Sequence, residues 1–143
     1  MFVFKACIYL FIAIAVLTGA NDLLQGISGL KAMGAGLTDA GYSDPLLDSL
    51  FRFFAGLWMG TGLLFWIFIR DLRRYKPAMM ALLGVVILGG IGRLLTIAQL
   101  GLPEAPIGLA MVSAGLFAEL LLSPLLLAWL AFKHRSEEQD RAL

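Results

Sequence analysis

Polar residues retreat from four stretches of this chain: residues 2–20, 46–69, 78–100 and 107–132. Each is close to the about 20 residues that carry an α-helix across a hydrocarbon core about 30 Å thick. The pattern predicts an all-α protein, an integral membrane four-helix bundle in one transmembrane domain covering residues 1–143. Between the first two stretches, Leu23, Leu24, Ile27, Leu30 and Met33 recur with near-helical spacing among glycines. A short amphipathic helix lying in the interface, or capping the bundle, fits that spacing, and a glycine-rich loop is the alternative. Asp44-Pro45 then reads as a helix start, with Asp44 as N-cap and Pro45 at the first helical position. Thr18-Gly19-Ala20 resembles the small-residue end of a signal peptide. Phe2, Val3 and Phe4 give an apolar rather than basic start, so the first helix is expected to be retained. Residues 133–143 form a charged, frayed tail.

Composition fixes the solvent. Hydrophobic residues make up 60% of the 143 residues and mean hydropathy is +0.88, against about 45–50% apolar content in soluble domains. A soluble chain of this size leaves too much of its surface wet to hide that content. The net charge of +1 comes without a basic stripe, which excludes a nucleic-acid partner. Cys7 and His134 each stand alone, so neither an internal disulfide nor a thiolate or histidine metal site is expected. No Walker loop, dinucleotide fingerprint, G-x-S-x-G or H-E-x-x-H occurs. No catalytic residue and no cofactor is therefore assigned, and the chain is expected not to be an enzyme.

Charge also sets orientation. Arg70, Arg73, Arg74 and Lys76 crowd the second connection, and Lys133, His134 and Arg135 follow the fourth stretch. Short basic loops stay on the cytoplasmic side. Both termini are then cytoplasmic, with Lys5 snorkelling from the first helix. The opposite connections carry Asp22, Lys31, Asp39, Asp44 and Glu104.

The charges inside the stretches are the candidates for chemistry. With a rise of about 1.5 Å per residue, Arg52 lies about 10 Å and Arg93 about 12 Å below the outer helix ends, and Glu119 about 18 Å down the fourth. A charge at such depth is tolerated when it is paired or wetted. Asp48 and Arg52 are four apart on one face and can pair, and Arg93 balances Glu119. The two pairs either clamp helix register or receive an anionic or carbonyl-bearing ligand, for which a planar guanidinium is suited. A proton path is disfavoured, because nothing ionisable lies between Arg52 and Arg70 or between Lys76 and Arg93. Gly56 and Gly60, then Gly89, Gly90 and Gly92, offer close helix packing. Pro124 predicts a kink that frees the carbonyl near Leu120. Trp66 and Trp129 fit interfacial anchors, and Trp58 fits the interior.

These residues resemble a bacterial family of small membrane proteins, domain of unknown function 4345. The resemblance rests on Asp48-x-x-x-Arg52-Phe53-x-x-Gly56, on Gly89-Gly90-x-Gly92-Arg93-Leu94-Leu95 followed by Gly101-x-Pro103, and on Glu119-Leu120-x-x-x-Pro124-x-Leu126. It implies a four-helix membrane bundle of the bacterial inner membrane and marks Asp48, Arg52, Arg93 and Glu119, but brings no activity with it. Three functions follow as expectations. The first is a structural or accessory component that binds membrane lipid and a membrane protein partner, or another copy of itself. The second is a binding module for a lipid or quinone-like amphiphile. The third is a membrane enzyme or transporter working through Glu119.

Overall fold

The computed structural model describes residues 2–142, with side chains to residue 132. It is all-helical, without a strand among the described residues. Helix α1 spans Phe2–Gln25, α2 Ile27–Met33, α3 Asp39–Tyr42, α4 Pro45–Arg70, α5 Leu72–Leu100, α6 Pro106–Leu116 and α7 Ser123–Ala142, with a π-helical turn, Phe117–Leu122, joining α6 to α7. Four helices are long and apolar enough to cross a membrane: Phe2–Gln25, Pro45–Arg70, Lys76–Leu100 and Pro106–Phe132.

Several boundaries differ from the sequence expectation. The first helix runs on past Ala20 to Gln25, so Leu23 and Leu24 close α1 instead of opening a separate amphipathic helix. That helix is confined to α2, which ends where Gly34 takes a left-handed conformation (φ 75°). The basic connection is helical almost throughout. Asp71 alone breaks the chain between α4 and α5, and its side chain accepts the Arg74 N–H at 3.2 Å. Pro77, which lacks an N–H and crowds the preceding turn, is accommodated by a non-helical Tyr75 (φ −100°, ψ 16°). The backbone of α7 stays helical through the tail that the sequence leaves frayed, whose side chains lie outside the described ones. Asp44 does cap α4, accepting the Leu46 and Leu47 N–H groups at 2.8 and 3.1 Å with Pro45 in the first turn.

Helices α1 and α4 pack along most of their length. Small residues set their separation: a Cβ on Gly19 would stand 2.8 Å from the Met59 nitrogen, and one on Gly62 2.9 Å from the Ala15 Cβ. Gly56 meets only the tip of Leu23 at 3.9 Å, and Gly60 has nothing within 4 Å. The close approach in α4 therefore belongs to Gly62, because Gly60 points away from α1. Trp58 packs edge-on to Phe11 and donates to the Thr18 hydroxyl at 3.0 Å, while Trp66 is exposed beneath the Arg70 guanidinium, 3.7 Å away.

The apolar core gathers at one end of the molecule. Phe4, Ile8 and Phe11 of α1 meet Phe65 and Ile69 of α4, Met79, Leu83 and Val86 of α5, and Leu126 and Leu130 of α7. This is the end that carries the basic connection. Toward the other end packing thins: no residue of 91–100 is buried, and Gly108 is the buried residue of α6. The candidate charges occupy that looser half.

Candidate functional site: two arginine–carboxylate pairs

Asp48 and Arg52 sit one turn apart on α4, where the end of α1 and the start of α2 cross them. The Arg52 Nε donates to the Asp48 Oδ2 at 2.8 Å. Its Nη1 donates to the Leu23 and Leu24 carbonyls at 2.7 and 3.0 Å. Those carbonyls belong to the last turn of α1, which has no intrahelical donor for them, and a cation there also complements the helix dipole. Asp48 Oδ1 meanwhile accepts the Ile27 N–H at 2.7 Å. Ile27 opens α2, and the N-cap before it, Gly26, has no side chain to offer. One ion pair thus caps the end of α1 and the start of α2. Gly26 completes the device with φ 64°, and a Cβ there would collide with the Asp48 carboxylate and the Arg52 guanidinium. Both Asp48 oxygens and the Nε and Nη1 of Arg52 are thus employed in this clamp, which leaves only Nη2 of Arg52 without a protein partner among the described residues.

Arg93 and Glu119 face each other between α5 and the π-helical turn. The Arg93 Nε donates to the Glu119 Oε2 at 2.8 Å and Oε1 at 3.1 Å. Two glycines make room for this pair. A Cβ on Gly90 would lie 2.7 Å from Leu120 and 2.8 Å from the Glu119 Cβ, so only a bare α5 lets the carboxylate-bearing turn approach. A Cβ on Gly115 would lie 2.9 Å from the Arg93 Nε. By contrast Gly89 and Gly92 meet nothing within 4 Å among the described residues, because they fall on the outer face of α5. Pro124 acts through the same turn. Its ring would crowd the Leu120 carbonyl in a regular α-helix. Instead of a simple kink, the helix widens by one residue: the Ser123 N–H bonds the Ala118 carbonyl, five residues back, and the buried Ser123 hydroxyl donates to it at 2.8 Å. Glu119 rides on that widened turn.

The two pairs differ in what they leave unused. The Arg93 side chain is 45% exposed and that of Glu119 10%. Both Nη groups of Arg93 lack a protein partner among the described residues. Arg93 lines a cavity of about 470 Å³ whose walls include Leu30, Leu37, Met111 and Val112, together with Glu104. The segment after α2 covers it: a Cβ on Gly36 would strike Ala105, and one on Gly108 would stand 3.1 Å from the Ala35 carbonyl. No hydrogen bond or ion pair joins Arg52–Asp48 to Arg93–Glu119 among the described residues, so the four charges form two separate pairs rather than one closed network.

A family model described as domain of unknown function (DUF4345) matches residues 3–130. The chain belongs to this family. No curated protein and no solved structure matches it. The matched range of the DUF4345 protein takes in both ion pairs, the cap and nearly the whole of the four long helices. Sequence reasoning found the four charges but missed Gly26 and Gly115, the residues that seat the arginines. Lone glycines in apolar surroundings carry no local signal, since their partners are 22–26 residues away along the chain. The cavity roof, made of 35–37 and 103–105, was equally silent, because it forms only when two connections meet.

Proposed function

We propose that this DUF4345 protein is a multi-pass protein of the bacterial inner membrane that binds one amphiphilic small molecule, a lipid or a quinone-like compound, beneath its outer cap. One observation carries the reading: the Arg93 fork has two unpartnered Nη groups at the wall of an otherwise largely apolar cavity of about 470 Å³. Ligand cavities commonly enclose about 300–1,000 Å³, with a few polar groups set in apolar walls. In this reading Asp48 and Arg52 hold the cap in place, and Arg93, oriented by Glu119, grips the head group. The clustering of Arg70, Arg73, Arg74 and Lys76 in a short connection at the opposite end from the cavity supports cytoplasmic termini in this reading.

The test is native mass spectrometry of the tagged protein released gently from its own membrane. A one-to-one small adduct is expected, and Arg93→Lys, which keeps the charge but loses the planar fork, should deplete it. Recovery of protein without any such adduct, wild type and variant alike, would sink the reading.

A second reading has its own support. Gly89 and Gly92 leave a smooth strip on α5 that none of the described residues covers, as small-residue faces do where membrane helices associate. It makes the protein an accessory component with a membrane protein partner or a second copy, and a stoichiometric protein companion in the same spectra would favour it.

A further inference from the structure

We infer that the molecule held at Arg93 has an uncharged, carbonyl-bearing head, such as a quinone ring or a fatty ester, and that the site disfavours phosphate and other full anions. This rests on the amphiphile-binding reading and goes further by naming the head group. Arg93 is the cation of the cavity wall, and its charge is already answered by Glu119, whose two oxygens lie 2.8 and 3.1 Å from Nε. A second carboxylate, Glu104, borders the same cavity. Lys31, on the cap, lies outside that wall and is engaged at 2.6 Å by Asp39. One cation therefore stands against two carboxylates. Phosphate sites are built the other way, with a surplus of Arg, Lys or backbone N–H groups around the anion.

What Arg93 still offers is hydrogen-bond donation without net charge. The Nη groups of a guanidinium lie in one plane and donate as a fork. A carbonyl oxygen accepts with two lone pairs and brings no charge into walls formed by Leu30, Leu37, Met111 and Val112. An anion would enter those walls against Glu104 and would compete with Glu119 for the guanidinium. The Arg93–Glu119 pair thus works as a polarised neutral donor, and the head that matches it is a neutral acceptor.

The experiment uses the full chain in phosphatidylcholine nanodiscs and three probes with one decyl-length tail: a decyl benzoquinone, a monodecanoylglycerol and decyl phosphate. Native mass spectrometry titrations are run on the wild type, Glu104→Gln and Val112→Phe. Leu37→Trp, which fills the same space from the cap, guards against a folding defect in Val112→Phe. The expected result is one-to-one binding of the quinone or the ester at least tenfold tighter than of decyl phosphate. Whichever of the two binds tighter identifies the source of the carbonyl. The cavity-filling variants should lose that binding at least tenfold, and Glu104→Gln should narrow the gap to the phosphate several-fold. Decyl phosphate binding as tightly as the neutral probes, and lost in the filled variants, would overturn the head-group inference while leaving the amphiphile site standing. Glu104→Gln without effect on the gap would overturn the electrostatic argument. Binding of all three probes that ignores the filled cavity would remove both the inference and the reading beneath it.

Discussion

Arg93 lies against the α6 backbone at Gly115, where a Cβ would stand 2.9 Å from Nε and 3.1 Å from Cζ. The arginine can reach Glu119 and the cavity wall together because that position is bare. Gly115→Val should therefore displace the guanidinium or strain the pair, costing about 1–3 kcal/mol if the site cannot relax. Gly92→Ala is the control, since nothing lies within 4 Å of that position. There the helix should gain about 0.5–1 kcal/mol from the better helix former. Thermal unfolding in detergent compares the two, and equal midpoints would show that the Gly115 contact does not matter.

Gly26 tests the other pair. Its φ of 64° disfavours any side chain, and the Asp48 and Arg52 groups fill the space a Cβ would take. Strain of this kind amounts to about 1–3 kcal/mol. Gly26→Ala should break the caps at Leu23, Leu24 and Ile27 together, so that 27–42 becomes protease-sensitive while the core at Phe65 and Leu83 stays folded. Cleavage confined to that segment is the expected outcome. Protection equal to the wild type would mean that the clamp does not hold the cap.

The cap also carries a titratable contact, Lys31–Asp39, at 2.6 Å on the exposed surface. Hydrogen bonding and then charge attraction from Lys31 lower the Asp39 carboxyl below its ordinary 3.8, and the same interactions with Asp39 raise Lys31 above 10.5. Asp39, being depressed in the folded state, contributes stability that is complete above 3.8 and lost as pH falls through its lowered value. Lys31, being raised, contributes below 10.5 and loses its share as pH climbs through the raised value. The contribution is small because both groups are exposed and screened. Asp39→Asn should unfold slightly earlier than the wild type at neutral pH, and the gap should close on acidification to about pH 2. A gap that stays constant over that range would argue against the contact.

The four long helices were legible because a run of apolar residues the length of a bilayer has few alternative uses. The Asp44-Pro45 start was legible for a local reason, the capping geometry of two adjacent residues. Asp48–Arg52 was readable from its spacing of four, but its task was not, since the backbone groups it caps belong to 23–27 on other helices. The glycines divided for the same reason. Gly90 packs on Leu120 while its neighbours Gly89 and Gly92 face outward, and a G-G-x-G run does not state which of its faces meets another helix. Pro124 announced a disturbance, whereas its form, a π turn supported by the Ser123 bonds to the Ala118 carbonyl, is not specified by the proline alone.

Arg93 and Glu119 should respond unequally to removal, because one is 45% exposed and the other 10%. Glu119→Leu leaves an arginine on a long flexible stem that can turn toward the Leu100 end of its helix. Arg93→Leu leaves a carboxylate enclosed by the π turn and Gly90 without the cation that pairs with it. Breaking a buried pair in that way costs about 3–5 kcal/mol, and the partial exposure of Arg93 places this pair toward the lower end. Arg93→Leu should therefore lower the thermal midpoint more than Glu119→Leu does. Arg93→Leu combined with Glu119→Leu should recover most of the loss, since apolar replacement of both partners removes the stranded charge. If the double variant is stable yet binds no small adduct, the pair serves the ligand beyond holding the helices. A double variant that keeps a stoichiometric adduct would mean that the ligand is gripped elsewhere, and would overturn the role given to Arg93.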